Sequence, residues 1–480
     1  MLNEATAAFI RMHRDDDVHQ LALSGASFPA SSSGSGGEVD KAMALQQIAG
    51  WHAAHKKLPT WAATEGIVYP PHLNMEQCSS ELTAKYKAQM GKPSLNPPKG
   101  GLLDGEFADG EWRLVDLTGG FGVDFYFMAQ ALLSPQRKVP QSPSVSPPSE
   151  GFCRGGGALY VEQNPELCTI AEHNFRVLGL ECSVVCGSAA DVLHRISHAV
   201  CIYLDPARRD QYGARTYSIE DCTPNVIELL PLLREKTDRI VLKLSPMLDW
   251  HKAVSDLGCV SEVHIVSVAN ECKELIIEMR GGYFEERVVR CEVRGTRCEV
   301  RDYNEDDIRL HCVNILPEGV TQHFSYLAPR TSHLDKEQKA TPLRGRLEGT
   351  SFSLERLKGE PTFLCEPNSS IMKAGCFGEV AARYHVQMLA ANSHLFVSAK
   401  DIPDFPGRRF HIDRVSSLNK RELKENLAGV SHANIAVRNF PMGAADLRKR
   451  LRLGDGGETY IFATTLADGQ RCLLICRKIG

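Results

Sequence analysis

The sequence predicts an α/β protein: a doubly wound, largely parallel sheet closed by one antiparallel strand, with a helical domain before it and α+β domains after it. Three observations carry that prediction. From Glu111 to Gly282, short apolar runs alternate with helix-period runs, the order of strands and crossovers in an open parallel sheet. The first apolar run, Leu114, Val115 and Leu117, passes through Gly119, Gly120 and Gly122 into Phe125, Met128, Ala129 and Leu132 at helical spacing. At the far end, CVSEVHIVSV (259–268) and ECKELIIEMRGG (271–282) are separated only by Ala269–Asn270, so they pair as an antiparallel hairpin.

Composition sets the bounds. A chain of 480 residues implies two to four domains. Net charge is −4 and 43% of residues are apolar, with no run of eighteen apolar residues, so no membrane-spanning helix is expected. The opening MLNEATAAFIRMHRDDD is amphipathic and acidic, unlike a signal peptide. The 16 cysteines show no CxxC and no paired Cys/His spacing, which argues against a structural metal site and for free thiols in a reducing cytoplasm.

Taken in order, residues 4–23 read as one helix with Phe9, Met12, Val18 and Leu21 on its apolar side. Ser24–Glu38 is a low-complexity link, and Val39–His55 reads as a second helix. Met75–Gln89 reads as a helix capped by Ser79 or Ser80; the hydroxyls and free N–H groups at its start suit a carboxylate as well as a plain cap. A Pro/Gly-rich link covers 91–110. Strands are expected at 113–117, 158–163, 182–187, 200–205 and 239–245, and helices near 122–133, 165–178 and 223–235. Residues 134–157 interrupt the first crossover and are expected to form a disordered surface insertion. Beyond Gly282, residues 283–320 are β-rich and 327–350 an exposed loop. Strand, helix, strand then follow over 361–400. Strand, helix, strand, helix and hairpin complete 405–480. The domain division is 1–90, 91–282, 283–400 and 401–480. The last block holds 14 Lys/Arg against 9 Asp/Glu, net +5 in an acidic chain, which suits either a polyanion-facing module or a solvated helix face.

Four features fall at the C-terminal ends of successive strands, where open α/β sheets bind ligands. The first is the turn with Asp116, Thr118, Gly120, Gly122 and Asp124. Asp116 would repel a pyrophosphate and welcome an amino group, so an amino acid joined to a nucleoside, such as S-adenosylmethionine, fits better than a dinucleotide; a structural turn without ligand is the alternative for this stretch alone. The second is Glu162, with Gln163 beside it, positioned to accept both ribose hydroxyls. The third is Ser188 to Asp191, where Ser188 would meet an adenine edge and Asp191 accept from its amine. The fourth is Asp205–Pro206, followed by Arg208 and Arg209, where acceptors on a proline-fixed backbone would orient an exocyclic amine toward a methyl sulfonium. Methylation at pyrimidine C5 needs a thiolate, and this loop has no cysteine.

DLTGGFGVD, YVEQN, LDPARR and the closing hairpin together resemble a Rossmann-like class I S-adenosylmethionine-dependent methyltransferase. LDPAR is similar to the (D/N)PP(F/Y) motif of amino-directed methyltransferases, matched at Asp205 and Pro206 and departing at Ala207 and Arg208. Arg208, Tyr212 or Tyr217 would have to replace the stacking aromatic. EQCSSELTA is similar to a segment that helps close the cofactor pocket in some RNA methyltransferases. EPNSSIMKAG, FPGRRF, VRNFP and DGGETYIFATT extend the resemblance to a family, frequent in Bacteroidetes, with a ferredoxin-like segment and a THUMP-like C-terminal domain. The resemblance implies S-adenosylmethionine as cofactor, ribosomal or transfer RNA as partner, and methylation of a base nitrogen. A non-catalytic RNA-binding assembly factor, or a methyltransferase of proteins or small molecules, stands as the alternative.

Overall fold

The computed structural model describes residues 3–23, 38–90, 111–133, 157–207, 219–281, 307–329, 353–359, 363–390 and 392–479. Apart from end residues, the expected segments 24–38, 91–110 and 134–157 lie outside these, as do residues 283–306 of the stretch read as β-rich, all but the first three residues of the expected loop 327–350, and Arg208, Arg209, Tyr212 and Tyr217. The chain divides into two compact units, the first formed mainly by residues 1–248 and the second mainly by residues 301–480.

The first unit opens with helices α1 (Glu4–His13), α2 (Val18–Leu23), α3 (Lys41–Lys57), α4 (Pro59–Ala62), α5 (His72–Gln77) and α6 (Glu81–Met90). Two expected helices are each split. The single helix over 4–23 breaks because Asp17 turns its carboxylate back to cap Gln20 N at 2.9 Å, starting a new helix. The helix over 75–89 breaks at Cys78–Ser80, and Ser80 Oγ then accepts from Thr83 N at 3.3 Å to start α6.

Next come β1 (Glu111–Trp112), β2 (Leu114–Asp116), α7 (Val123–Leu133), β3 (Ala158–Glu162), α8 (Pro165–Val177), β4 (Ser183–Cys186), α9 (Ala189–Arg195), β5 (His198–Ala199), β6 (Ile202–Leu204), α10 (Val226–Lys236) and β7 (Arg239–Leu244). The strands stand where the apolar runs lie. The small β1–β5 pair and α9 were not foreseen, because two-residue strands and a seven-residue helix carry almost no period. The main sheet of this unit runs β4-β3-β2-β6-β7-β9, where β9 is Glu271–Arg280. Pairing is parallel for β2 with β3 and β6, for β3 with β4, and for β6 with β7. The chain therefore starts in the middle, winds outward through β3 and β4, and returns on the other side of β2 as β6. The strand order reverses between β2 and β6, which is the switch point where such sheets open a crevice.

Helix α11 (Trp250–Leu257) and strand β9 are each shared between the units. The second unit contains β8 (Glu262–Val268), the first half of β9, β10 (Asp307–Ile315) and β11 (Thr321–Pro329), in the order β9-β8-β10-β11. Ala269 and Asn270 both have positive φ, 49° and 64°, as a two-residue hairpin turn requires, so β8 and β9 form the expected hairpin. Strand β11 occupies the start of the region read as an exposed loop from 327.

The same unit continues through α12 (Leu354–Gly359), β12 (Phe363–Pro367), α13 (Ser369–Ala374), α14 (Phe377–Tyr384), β13 (Gln387–Met388), β14 (Phe396–Ser398), β15 (Gly407–Ser417), α15 (Lys420–Asn426), β16 (His432–Arg438), α16 (Ala444–Leu451), β17 (Gly454–Thr465) and β18 (Arg471–Ile479). The one helix expected within 361–400 is two, because Gly375 takes the left-handed conformation (φ 72°) and caps α13. These strands make a seven-stranded sheet in the order β13-β14-β12-β15-β18-β17-β16. Phe410, Phe462, Leu364 and Leu474 are buried on it.

Candidate functional site

The glycine turn is shaped by packing as much as by reach. A Cβ on Gly119 would lie 2.1 Å from Cε2 of Tyr160, and one on Gly122 would lie 2.6 Å from Cζ of Phe175, so both positions exclude a side chain. Gly120 differs. Its φ is +56° and only the Thr118 carbonyl oxygen comes within 4 Å of its Cβ position, so that face of the turn is clear. Tyr160 Oη donates to Gly120 O at 2.5 Å and fixes the turn from below. Trp61 of α4 packs edge-on to Phe121 at 4.8 Å, so the N-terminal helices brace the turn.

Asp116 ends β2 with its side chain buried, and its Oδ1 accepts from Thr118 N at 2.9 Å. Burial pushes this carboxyl well above the ordinary carboxylate range; the nearby carboxylates of Asp124, Asp205 and Glu162 push the same way. A cation arriving there would relieve both effects. Glu162, ending β3, turns back onto the turn: Oε2 accepts from Gly120 N at 2.8 Å and Oε1 from Asn164 N at 2.9 Å. Each oxygen keeps a further lone pair for a hydroxyl donor. Gln163 is exposed beyond it. Ser188 and Asp191 face each other at the start of α9, with Ser188 Oγ donating to Asp191 Oδ2 at 2.7 Å and accepting from Asp191 N at 3.1 Å.

Across the switch point, Asp205 N donates to Thr118 Oγ1 at 2.6 Å, which joins the ends of β2 and β6 directly. Asp205, Pro206 and Ala207 are held from the other side, because Ala207 and Thr223 exchange backbone hydrogen bonds of 2.8 and 2.9 Å. Lys243 Nζ donates to Asp205 Oδ2 at 2.5 Å. Burial raises the Asp205 carboxyl, and the Lys243 ammonium opposes that rise without cancelling it. The other oxygen, Oδ1, has no partner among the described residues.

Asp124 sits behind this loop in the first turn of α7. Its Oδ1 lies 3.1 Å from Lys87 Nζ, and its Oδ2 accepts from Ser79 Oγ at 2.8 Å and Tyr203 Oη at 2.7 Å, with Lys243 Nζ at 3.8 Å. Burial alone would raise this carboxyl, but the two ammonium groups and two hydroxyls outweigh it and hold it below its ordinary value. Asp124 is thus a buried hub beneath the cleft. Lys87, Tyr203, Tyr160 and Lys243 were missed in the sequence. Only Lys243 left a signal there, as one charge inside the apolar run RIVLKL.

Asp116, Thr118, Gly120, Gly122, Glu162 and Asp205 are therefore gathered at one place, the C-terminal ends of β2, β3 and β6. Its chemistry is a buried carboxylate for a cation, a carboxylate for paired hydroxyls, an open glycine face, and a lysine-tuned aspartate at the rim. Those are the donors and acceptors that suit a sulfonium-bearing amino acid nucleoside.

Comparison with known proteins agrees. Residues 363–406 match a ferredoxin-like domain family, and residues 407–478 match a family described as THUMP domain-like. Over 309 residues the chain is 22% identical to an uncharacterized S-adenosylmethionine-dependent methyltransferase of Mycobacterium tuberculosis, found alike in two strains, covering 64% of this chain and 70% of that protein. The crystal structure of a candidate methyltransferase from Porphyromonas gingivalis W83 aligns over 100% of both chains, with a TM-score of 0.72 and 26% identity. The fold is that of a class I methyltransferase continued by ferredoxin-like and THUMP-like domains.

Proposed function

We propose that this S-adenosylmethionine-dependent methyltransferase acts on RNA, at a base nitrogen of ribosomal or transfer RNA. When bound, S-adenosylmethionine supplies an electrophilic methyl group on a sulfonium. In this reading the cleft residues hold it as follows. Asp116 faces the amino group, Glu162 accepts from the ribose hydroxyls, and the clear face of Gly120 lets the backbone approach. Thr118, Gly122 and Gln163 shape the same pocket, and Ser188 and Asp191 flank the adenine.

Asp205 then works on the substrate side. Asp205 Oδ1 would accept an N–H of the base, turn the nitrogen lone pair toward the methyl group, and take the proton that the nitrogen loses when the methyl leaves the sulfonium, which departs as a neutral thioether. Pro206 fixes that loop, and Arg208 and Arg209, next in sequence and outside the described residues, are the groups proposed to contact substrate. The observation that carries the reading is the Thr118–Asp205 hydrogen bond, because it brings the cofactor turn and the DP loop to one point.

RNA is favoured by the THUMP-like match and by the basic block 401–480. Part of that charge is spent internally: Arg408 and Arg438 clasp the buried Glu366, and Arg477 pairs with Asp413. Lys449, Arg450 and Arg452 stay exposed with no acidic partner among the described residues, and are the groups proposed to meet phosphates. A cytoplasmic location belongs to the same proposal.

The test is tritium transfer from labelled S-adenosylmethionine to RNA purified from cells lacking the gene, with mass spectrometry of the nucleosides. One modified nucleoside absent from those cells and restored by the protein supports the reading. Binding of RNA without any lost nucleoside overturns it in favour of a non-catalytic assembly factor. Transfer to protein alone overturns the substrate class.

A further inference from the structure

The second unit carries a constellation that methyl transfer does not use. Glu262 and His264 are two residues apart on β8 and so share a face of the sheet. His311 on β10 is the register partner of His264 in the parallel β8–β10 pair. The two imidazoles stack at 4.3 Å with planes 8° apart. Their shared alignment brings Nε2 of each ring to the Glu262 carboxylate. Glu262 Oε2 lies 3.2 Å from His311 Nε2 and 3.6 Å from His264 Nε2, and all three ligand atoms fall within 4.8 Å of one another.

We propose that Glu262, His264 and His311 form a binding site for a divalent transition metal of the zinc class. The spacing fits the chemistry. With metal–nitrogen and metal–oxygen bonds of about 2.0–2.1 Å in a tetrahedron, neighbouring ligands stand about 3.3–3.4 Å apart. The two edges to Glu262, 3.2 and 3.6 Å, bracket that value, and the stacked rings must turn toward each other for both Nε2 lone pairs to meet one ion. Two imidazoles and one carboxylate suit zinc, cobalt or nickel, and three protein ligands leave a fourth position for water.

A second interaction orients the site. His311 Nδ1 lies 3.0 Å from Nε2 of His323 on β11. Metal binding selects the tautomer in which His311 Nδ1 donates to His323 and Nε2 keeps its lone pair for the ion. Metal-bound histidines use the opposite ring nitrogen in this way. The ligands ride on adjacent paired strands, so a bound ion ties β8 to β10.

The test uses the full-length chain without a histidine tag. Zn2+ is titrated by calorimetry and Co2+ by its visible absorption, and thermal unfolding is followed with and without Zn2+. One equivalent is expected to bind with a rise in Tm, and the Co2+ spectrum should be that of a four-coordinate site. His311→Gln and Glu262→Gln should each weaken binding at least tenfold and abolish the Tm rise. His323→Ala, an exposed change that spares the three ligands, should weaken it by about tenfold. Circular dichroism confirms that each variant is folded. Absence of binding in the wild type, which would mean that a proton bridges His311 and Glu262, overturns the proposal. Binding of equal strength in all three variants, which would assign the ion to cysteines elsewhere, overturns it too.

Discussion

Lys243 reaches from β7 to the Asp205 carboxylate at 2.5 Å while standing 3.8 Å from Asp124, so one ammonium serves two acids in different layers of the cleft. Removing it affects them differently. In Lys243→Met, Asp205 loses the charge that opposes its burial, so its already raised pKa rises further and the carboxyl is protonated over more of the pH range. The acid limb of the kcat/KM profile is expected to move to higher pH, with kcat/KM down by about tenfold or more at pH 6–7. Cofactor affinity, measured by calorimetry, should change much less. An unmoved acid limb would remove Asp205 from the reaction.

Asp124→Asn leaves the ammonium groups of Lys87 and Lys243 facing a neutral amide. The expected loss is about 3–5 kcal/mol of unfolding free energy, read from urea titration. The pH dependence has a definite sign. A carboxyl held below its unfolded value near 3.9 stabilises the fold above that value and loses the contribution as pH falls through its folded pKa. The gap between wild type and variant should therefore be full at neutral pH and close below about pH 4.

Asp116 has the opposite sign. Its raised carboxyl favours the fold below the unfolded value and costs stability as pH rises through the folded one. Asp116→Asn is expected to raise the Tm of the ligand-free protein at pH 7 and to weaken S-adenosylmethionine binding by about 10–100-fold, as expected when a charged hydrogen bond is removed. In the wild type, affinity should fall as acidification protonates Asp116. Unchanged affinity in the variant would remove the amino-group interaction.

Gly119→Ala places a methyl group against the buried ring of Tyr160, which is itself tied to Gly120 O. A destabilisation of about 1–3 kcal/mol is expected in chemical denaturation. Weaker cofactor binding should accompany it, because Tyr160 cannot yield without shifting the turn.

Lys449→Glu with Arg450→Glu should lower RNA affinity while leaving cofactor affinity unchanged. Each phosphate that no longer meets a cation is expected to reduce the slope of log affinity against log salt by about one. Filter binding at several salt concentrations reads both.

The strand order was legible because apolar runs mark buried parallel strands wherever they occur, as with Leu114–Leu117 and RIVLKL. The break at Asp17 and the left-handed Gly375 were not, because helical period continues across a single capping residue. Asp116, Glu162 and Asp205 announced themselves as acids ending strands. Their supporting partners did not: Lys87 looks like any helical lysine until α6 lies beside Asp124. The Glu262–His264–His311 cluster escaped for a related reason. Its ligands follow strand pairing, and no short Cys/His spacing reveals them.

Lys87 and Ser79 reach Asp124, and Trp61 reaches Phe121, so the first ninety residues form part of the floor of the cleft. Deletion mapping that trims this segment to locate a recognition surface would misreport. It would strip a cation from a submerged acid and bare the aromatic underside of the glycine loop. A silent truncated protein would then record a broken catalytic centre, whatever the removed helices touch in the cell.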